Sequence, residues 1–486
     1  GFKKSLYGYF NNPLRLSPVK FTNWVLKKNN KIKLINYLKA YGGYTGAEWI
    51  KKNEKEFFSK GKNQQKEIYI PRALMNYWME EKLIFLLKKI KKKKTPFLIK
   101  FFKGEVTKLI KQKKFYKIKF KNNKYEELNY KILKTKSKKL IFEKNKKLKG
   151  MLNSKNINVG LGLPPPKQIA TPNARKNNNY IWDFYDKGST DFLVKKILLL
   201  SKEKKKLKIY FIGFKAGLLE ALPELFKIII KNKINLKIIC SSKELQSIQK
   251  AKRSNTNKIY APKVFKKNRL LKINTSKKLY QSLTKEFKMA SISGHNKYDA
   301  WTYILNNNII YKIINNFDKS EKKKYDDIFH NQIRQITRFT YPETIKTREL
   351  MFKNKILEAK KEVVNKVDYI KGSLVVFAVN DKKINKNYKC DLVVNVSGPL
   401  NAEKIKKEIP LINSIKNIGG KIIYGNLLVN NYFEIHGLKN VYLPGVLARG
   451  FNPERKTIIN AILRNSYYVA KSITGNFIKK KNIRTL

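Results

Sequence analysis

Cysteine is almost absent from this chain: Cys240 and Cys390 are its only two, with no CxxC pair and no ligand cluster beside either. That excludes a disulfide framework and a zinc site of the usual spacing, and a reducing, cytoplasmic setting is expected. Long apolar runs are missing too. Stretches such as Ile84–Leu87 and Ile228–Ile230 fall far short of the roughly 18 residues that cross a bilayer. No transmembrane helix is expected, therefore, and no signal-peptide pattern opens the chain. Histidine is rare, and His295, His330 and His436 are isolated, so none forms a metal-ligand pair or a Ser-His-Asp set by spacing. Arginine is scarce as well, at 12 of the 108 basic residues. Arginine is the residue that reads phosphates and guanines through paired hydrogen bonds.

What the chain has in excess is lysine: 108 − 12 = 96 of 486 residues, against 34 acidic ones, for a formal charge of +74. Clustered lysines attract polyanions by releasing counterions. Here, however, they run along nearly the whole chain together with abundant Asn and Ile, as drift towards A/T-rich codons would leave them. Nucleic acid is not expected as the main partner. The alternative from another class is a non-catalytic, lysine-rich nucleic-acid- or anion-binding protein on a degenerate scaffold. A hydrophobic fraction of 42% over 486 residues suffices for two or three cored domains.

The pattern along the chain predicts an α/β protein. From Phe97 to Phe120, Tyr116, Ile118 and Phe120 alternate with Lys117 and Lys119, the period of a half-exposed strand. Lys131–Lys149 reads as a solvated hairpin or loop. Asn156–Pro166, NINVGLGLPPP, reads as a buried strand ending in a tight turn where something approaches the backbone closely. Leu207–Ile212 is a buried strand followed by a glycine turn, an amphipathic helix, and a second strand at Ile234–Ser242, which together make one β-α-β unit. Leu245–Lys361 is mostly helical in pattern. Strands return at Ser373–Val379, Cys390–Pro399 and Asn440–Gly450, the last leading to a helix near Thr457.

The turn Gly213–Gly217, GFKAG, is a weak form of the dinucleotide fingerprint, in which successive glycines make the turn, admit the pyrophosphate and pack helix on strand. Gly213 fills the first role, whereas Lys215 and Leu218 occupy the second and third. Lys215 either crowds a pyrophosphate or offers it a cation, and a β-α turn without a ligand is the alternative. The second strand ends in Ser241, Ser242 and Lys243 where an NAD site carries a carboxylate. This is either a site for a 2′-phosphate, hence NADPH, or an ordinary polar strand end. Arg72, after Pro71, either contacts a nucleotide phosphate or pairs with a carboxylate. His330, Arg334 and Arg338 share a helical face that either binds a substrate anion or is simply solvated.

Six segments in order carry a family resemblance. They are LYGYFNNPLRLSPVKFTNWV (Leu6–Val25), IYIPRALMNYWMEEKL (Ile68–Leu83), VGLGLPPP, IYFIGFKAGLLEAL, DLVVNVSGP and VYLPGVLARG. The set resembles bacterial FAD/NAD(P)-binding proteins related to FAD-dependent urate hydroxylases and, more distantly, to amine N-monooxygenases, over nearly the whole chain. The resemblance implies two Rossmann-like nucleotide-binding domains, with the NAD(P)-type domain (206–385, carrying a helical insert) inserted into a discontinuous FAD-type domain (1–205 and 386–486). It implies FAD and NADP as cofactors, and an oxidoreductase acting on a small-molecule substrate as the activity, a hydroxylating monooxygenase being one form of it. The cofactor contacts it implies are Asn11, Arg72, Gly160, Gly162, Gly213, Gly217, Ser241, Lys243, Gly445, Arg449 and Gly450. It names no catalytic residue and no metal ligand. Met75 and Asn76 depart from a tyrosine-glycine pair of the family, as Lys215 departs from its glycine. Only Gly1–Ser5 precede the first block, fewer than the roughly 30 residues of a β-α-β unit. The FAD-gripping unit is therefore expected upstream of this chain, which alone is expected to bind FAD weakly.

Overall fold

The computed structural model describes residues 31–41, 72–92, 99–133, 139–161, 164–185, 189–214, 216–243, 245 and 249–250. It also describes 466, 468–473 and, apart from positions 308, 338, 341, 399, 407–408, 424, 431 and 446, residues 260–449. The blocks at 6–25 and the helix expected near Thr457 lie outside the described residues.

Helices α1 (Lys31–Tyr41) and α2 (Arg72–Lys92) meet through stacked rings of Tyr37 and Tyr77, 4.6 Å apart. A four-stranded antiparallel sheet follows, of β1 (Phe101–Lys103), β2 (Val106–Lys111), β3 (Tyr116–Leu133) and β4 (Lys139–Ser154). The period-2 reading holds at Tyr116 and Phe120, which are buried, while Lys117 and Lys119 stay half-exposed. The lysine-dense stretch is the far part of one long hairpin, paired from Lys124↔Lys149 to Leu133↔Lys139. Its few carboxylates are spent on lysines, Glu126 lying between Lys103 (3.6 Å) and Lys144 (3.4 Å). β5 (Ile157–Asn158) then carries the buried Ile157.

The central body begins with α3 (Pro172–Lys176), β6 (Tyr180–Ile181), α4 (Ser189–Glu203), β7 (Leu207–Ile212), α5 (Ala216–Lys231), β8 (Leu236–Ser242) and the short β9 (Gln249–Lys250). β7 and β8 are parallel, joined by α5, as the β-α-β reading requires. Next comes a helical insert with its own core: α6 (Ser276–Ile292), α7 (Lys297–Asn306), α8 (Ile309–Asn315), α9 (Lys319–Lys324) and α10 (His330–Ile336) around Leu279, Leu283, Phe287, Ile304, Ile313 and Ile333. Its entry loop is held by Glu286. This fully buried carboxylate accepts the backbone N–H groups of Lys263 (2.8 Å), Val264 (2.7 Å) and Phe265 (2.9 Å), together with the hydroxyl of Tyr260.

The chain returns through β10 (Phe339–Thr340), which lies on β9, and α11 (Pro342–Lys353). Four strands follow: β11 (Leu357–Ile370), β12 (Ser373–Asn380), β13 (Asn385–Cys390) and β14 (Leu392–Asn395). The helical expectation for 245–361 is corrected here, because β11 starts at Leu357. The first half of β11 lies parallel to β8, and from Glu362 onwards it is antiparallel to β12, with a bulge between Val364 and Lys366. The completed sheet runs β13-β12-β11-β8-β7-β14-β6. α4, α5 and α11 cover one face through Leu193, Ile197, Leu222 and Met351. On the other, Tyr210 and Val393 pack against Leu374, Val376 and Cys390 of the β11–β13 meander. Here Tyr388 donates to Glu362 (2.7 Å) under the Lys360 ammonium, 5.2 Å from its ring. The sheet takes in β6 and β14, which flank the span 206–385.

The rest comprises α12 (Ala402–Ile405), α13 (Pro410–Asn417), β15 (Ile422–Ile423), β16 (Asn426–Leu428), β17 (Val441–Tyr442) and β18 (Ala448–Arg449). Its core is shared with the early chain. Leu109, Tyr116, Ile157 and Val159 pack with Ile412, Ile415, Leu427, Val441 and Leu443. The Leu109 N–H donates to the Ser414 hydroxyl (2.9 Å), and the Tyr116 hydroxyl to the Lys439 carbonyl (2.8 Å).

Candidate nucleotide sites at two sets of strand ends

In the parallel part of the large sheet the spatial order is β11-β8-β7-β14. The chain lays β7, β8 and β11 outwards in one direction, then returns to place β14 on the other side of β7. The order reverses between β7 and β14. Open α/β sheets take ligands at the carboxyl ends of the strands flanking such a reversal, where the diverging connections leave a crevice.

Gly213 follows β7 at that point with φ +117°, a conformation that side chains disfavour. A Cβ there would lie 2.9 Å from the Val396 carbonyl oxygen and 3.0 Å from the Ser397 Cα. The opposing chain is pinned: the Val396 N–H donates to the Ile212 carbonyl (3.0 Å), and the Ser397 N–H to the Asn395 Oδ1 (3.1 Å). Asn395, fully buried, also donates through Nδ2 to the Lys167 carbonyl (3.0 Å). Gly213 is thus demanded by backbone packing at the crevice. Gly217 is the second residue of α5, whose amino terminus opens from this turn; Lys215 lies outside the described residues.

At the neighbouring strand end Ser241 and Ser242 are buried and Lys243 is exposed. The parallel register sets Lys360 beside Ser241 and Lys361 beside Ser242. Sequence reasoning missed these two lysines, because the partner of β8 is a strand far along the chain. Lys361 forms an ion pair with Asp381 at 3.2 Å.

A second set of strand ends belongs to the other body. β5 and β17 are parallel, Ile157 beside Val441 and Asn158 beside Tyr442, with the Val159 N–H donating to the Tyr442 carbonyl at 2.8 Å. Gly160 and Gly445 therefore both follow the carboxyl ends of adjacent strands. Among the described residues a Cβ on either would meet nothing within 4 Å, so the described packing requires neither glycine. β18 pairs with β16, setting Arg449 beside Leu428. Arg72 is the first residue of α2. Asn11, Gly162, Gly450 and Arg338 lie outside the described residues, while His330 and Arg334 both fall in α10.

His295, isolated in sequence, is half of a pair: its Nδ1 lies 3.7 Å from the Asp299 carboxylate, and its ring meets Tyr260 edge-on at 5.2 Å. His295 lies before the Asn296 cap of α7, so no helical spacing announces the contact. A depression of about 280 Å³ is lined by Asn430, Glu434, His436 and Lys439. Glu434 is already spent there, on the N–H of Asn440 (2.7 Å) and the Asn430 amide (3.1 Å), so the feature is a structured loop. Among the described residues no group of three His, Cys, Asp or Glu is placed to hold a metal ion. No described helix is long and apolar enough to cross a membrane.

No family model and no curated protein matches this chain. Its likenesses are to solved flavoenzymes. An ornithine hydroxylase from Pseudomonas aeruginosa is 8% identical over 91% of this chain and 81% of that one, with a TM-score of 0.44. An FAD-bound cadaverine monooxygenase of desferrioxamine biosynthesis from Erwinia amylovora is 11% identical over 77% and 68%, at 0.42. A bacillithiol disulfide reductase from Bacillus cereus is 11% identical over 87% and 83%, at 0.39. Likenesses this distant transfer neither ligands nor residue roles.

Proposed function

We propose that this chain is an FAD- and NADP-dependent oxidoreductase, of the hydroxylating kind, acting on a small-molecule substrate. The observation that carries the reading is the strand reversal at β7 and β14, with Gly213 in the turn and a strand end of Ser241, Ser242 and Lys243 beside it. Those residues fit an NADP nucleotide. The described end of β8 offers hydroxyls and an ammonium and no carboxylate, a set suited to a phosphate dianion. The ends of β5 and β17, where no described residue crowds Gly160 or Gly445, are the proposed FAD side.

The domain division that accompanies this reading is a central NADP-type body inserted between two segments of an FAD-type body, with β6 and β14 counted in the central one. When bound, such groups supply hydride transfer from nicotinamide to flavin and onward electron delivery to dioxygen or another acceptor. The chain's own contribution is orientation. Gly213 would set the approach of the turn, the amino terminus of α5 would receive the pyrophosphate, and Lys243 with a serine of the Ser241–Ser242 pair would hold the 2′-phosphate.

The test is Lys243→Ala, titrated calorimetrically with NADPH and with NADH. We expect NADPH to weaken by about 1–3 kcal/mol, the range for a charge-assisted hydrogen bond, and NADH to change little. Equal losses for both nucleotides, or tighter NADH binding by the unsubstituted chain, reject the assignment.

A further inference from the structure

We infer that Lys361 is a second cation for the adenosine-side phosphate, and that Asp381 competes with the ligand for it. The inference rests on the reading of the β8 edge as the adenosine end of a dinucleotide site. Three neighbouring strands converge there. Lys361 of β11 is parallel-paired with Ser242 of β8. On its other side the antiparallel pairing of Glu362 with Asn380 brings Asp381, just past β12, next to Lys361. Adjacent strands lie about 4.8 Å apart, so the ammonium on its four-carbon stem reaches either neighbour.

Side-chain alternation sorts the lysines of this edge. Leu357 and Ala359 face the helix-covered core, as do Leu236, Ile238 and Cys240 of β8. Lys361 and Ser242 continue those two rows and share that side at the strand ends. Lys360 points the other way, over the Tyr388 ring and 2.8 Å from Glu358, and is committed to the meander. Lys361 is more than half exposed, and its partner Asp381 is equally exposed, 55% by side chain. An exposed ion pair of this kind contributes little to stability, so breaking it costs the fold little. A phosphate with two negative charges held by Ser242 and Lys243 would draw Lys361 off Asp381, leaving that carboxylate to water. The Lys361–Asp381 pair thus keeps a cation parked at the edge of the site.

The experiment uses adenosine 2′,5′-bisphosphate and 5′-AMP as probes, which carry the adenosine end with and without the 2′-phosphate and do not need the flavin. Affinities are measured calorimetrically for the whole chain and for Lys361→Met and Asp381→Asn. Lys361→Met should weaken the bisphosphate about fivefold and leave 5′-AMP unchanged, the latter also reporting an intact fold. Asp381→Asn should tighten the bisphosphate by about two- to threefold, since the competitor is gone. Bisphosphate affinity unchanged in Lys361→Met, or a loss shared equally with 5′-AMP, overturns the inference and leaves the nucleotide site standing. Failure of the unsubstituted chain to bind either probe overturns both.

Discussion

Replacing Gly213 by Ala puts a methyl group where the structure leaves no space. At φ +117° an L-residue is strained by roughly 1–3 kcal/mol. The new Cβ would also stand 2.9 Å from the Val396 carbonyl oxygen. That oxygen cannot retreat cheaply, because the residues around it are bonded to Ile212 and, through buried Asn395, to Lys167. Overpacking against fixed backbone adds about 1–3 kcal/mol, so Gly213→Ala should destabilise the central body by about 2–6 kcal/mol in all. Gly160→Ala is the matched control, since its Cβ meets none of the described residues within 4 Å, and it should stay within about 0.5 kcal/mol of the unsubstituted chain. Urea unfolding followed by circular dichroism, with hydrogen exchange of the β7 amides to locate the loss, measures both. Equal effects at the two glycines would refute the account of the β7–β14 junction.

The helical insert should depend on Glu286. Glu286→Gln turns an NH₂ towards backbone N–H donors on one side of the carboxylate, so we expect a loss of about 3 kcal/mol or more, read as early unfolding of 260–336 in hydrogen exchange; a change under about 0.5 kcal/mol would contradict the clamp. Burial pushes the phenol of Tyr180 up to about 12, so the folded state holds it neutral after the unfolded chain begins to ionise near pH 10. Its contribution is fully present below about pH 10 and is lost as pH rises towards about 12, and Tyr180→Phe should flatten that part of the stability profile. Glu358 is shifted the opposite way: hydrogen bonds from Lys237 and then Lys360 lower its carboxyl below the usual range. Its contribution is present above the unfolded value and lost as pH falls through the folded one, so Glu358→Gln should make the central body less sensitive to acid.

Much of the central body was legible because its strands are buried on both faces and read as continuous apolar runs. Leu207–Ile212 matches its prediction residue for residue, and Gly213 was found as the turn glycine. β11 was not legible. Its sequence, LEAKKEVVNKVDYI, mixes charges into a strand that changes partners midway, with Lys366 paired to Asp368 at 2.6 Å. The same register that concealed β11 concealed Lys361, because a parallel neighbour reached through an intervening helical insert leaves no local signal. The pairing of β5 with β17 likewise joins distant segments. The alternation of either two-residue strand does not reveal it.

The claim that a dinucleotide is seated at the β7–β14 reversal is tested most directly by hydrogen exchange of the chain with and without saturating NADPH. The account predicts slowed exchange confined to the turn after β7, the first turn of α5, the end of β8 around Ser241–Lys243, and Val396–Gly398. Unchanged exchange throughout, or protection confined to the β1–β4 sheet or the 260–336 helices, would contradict it.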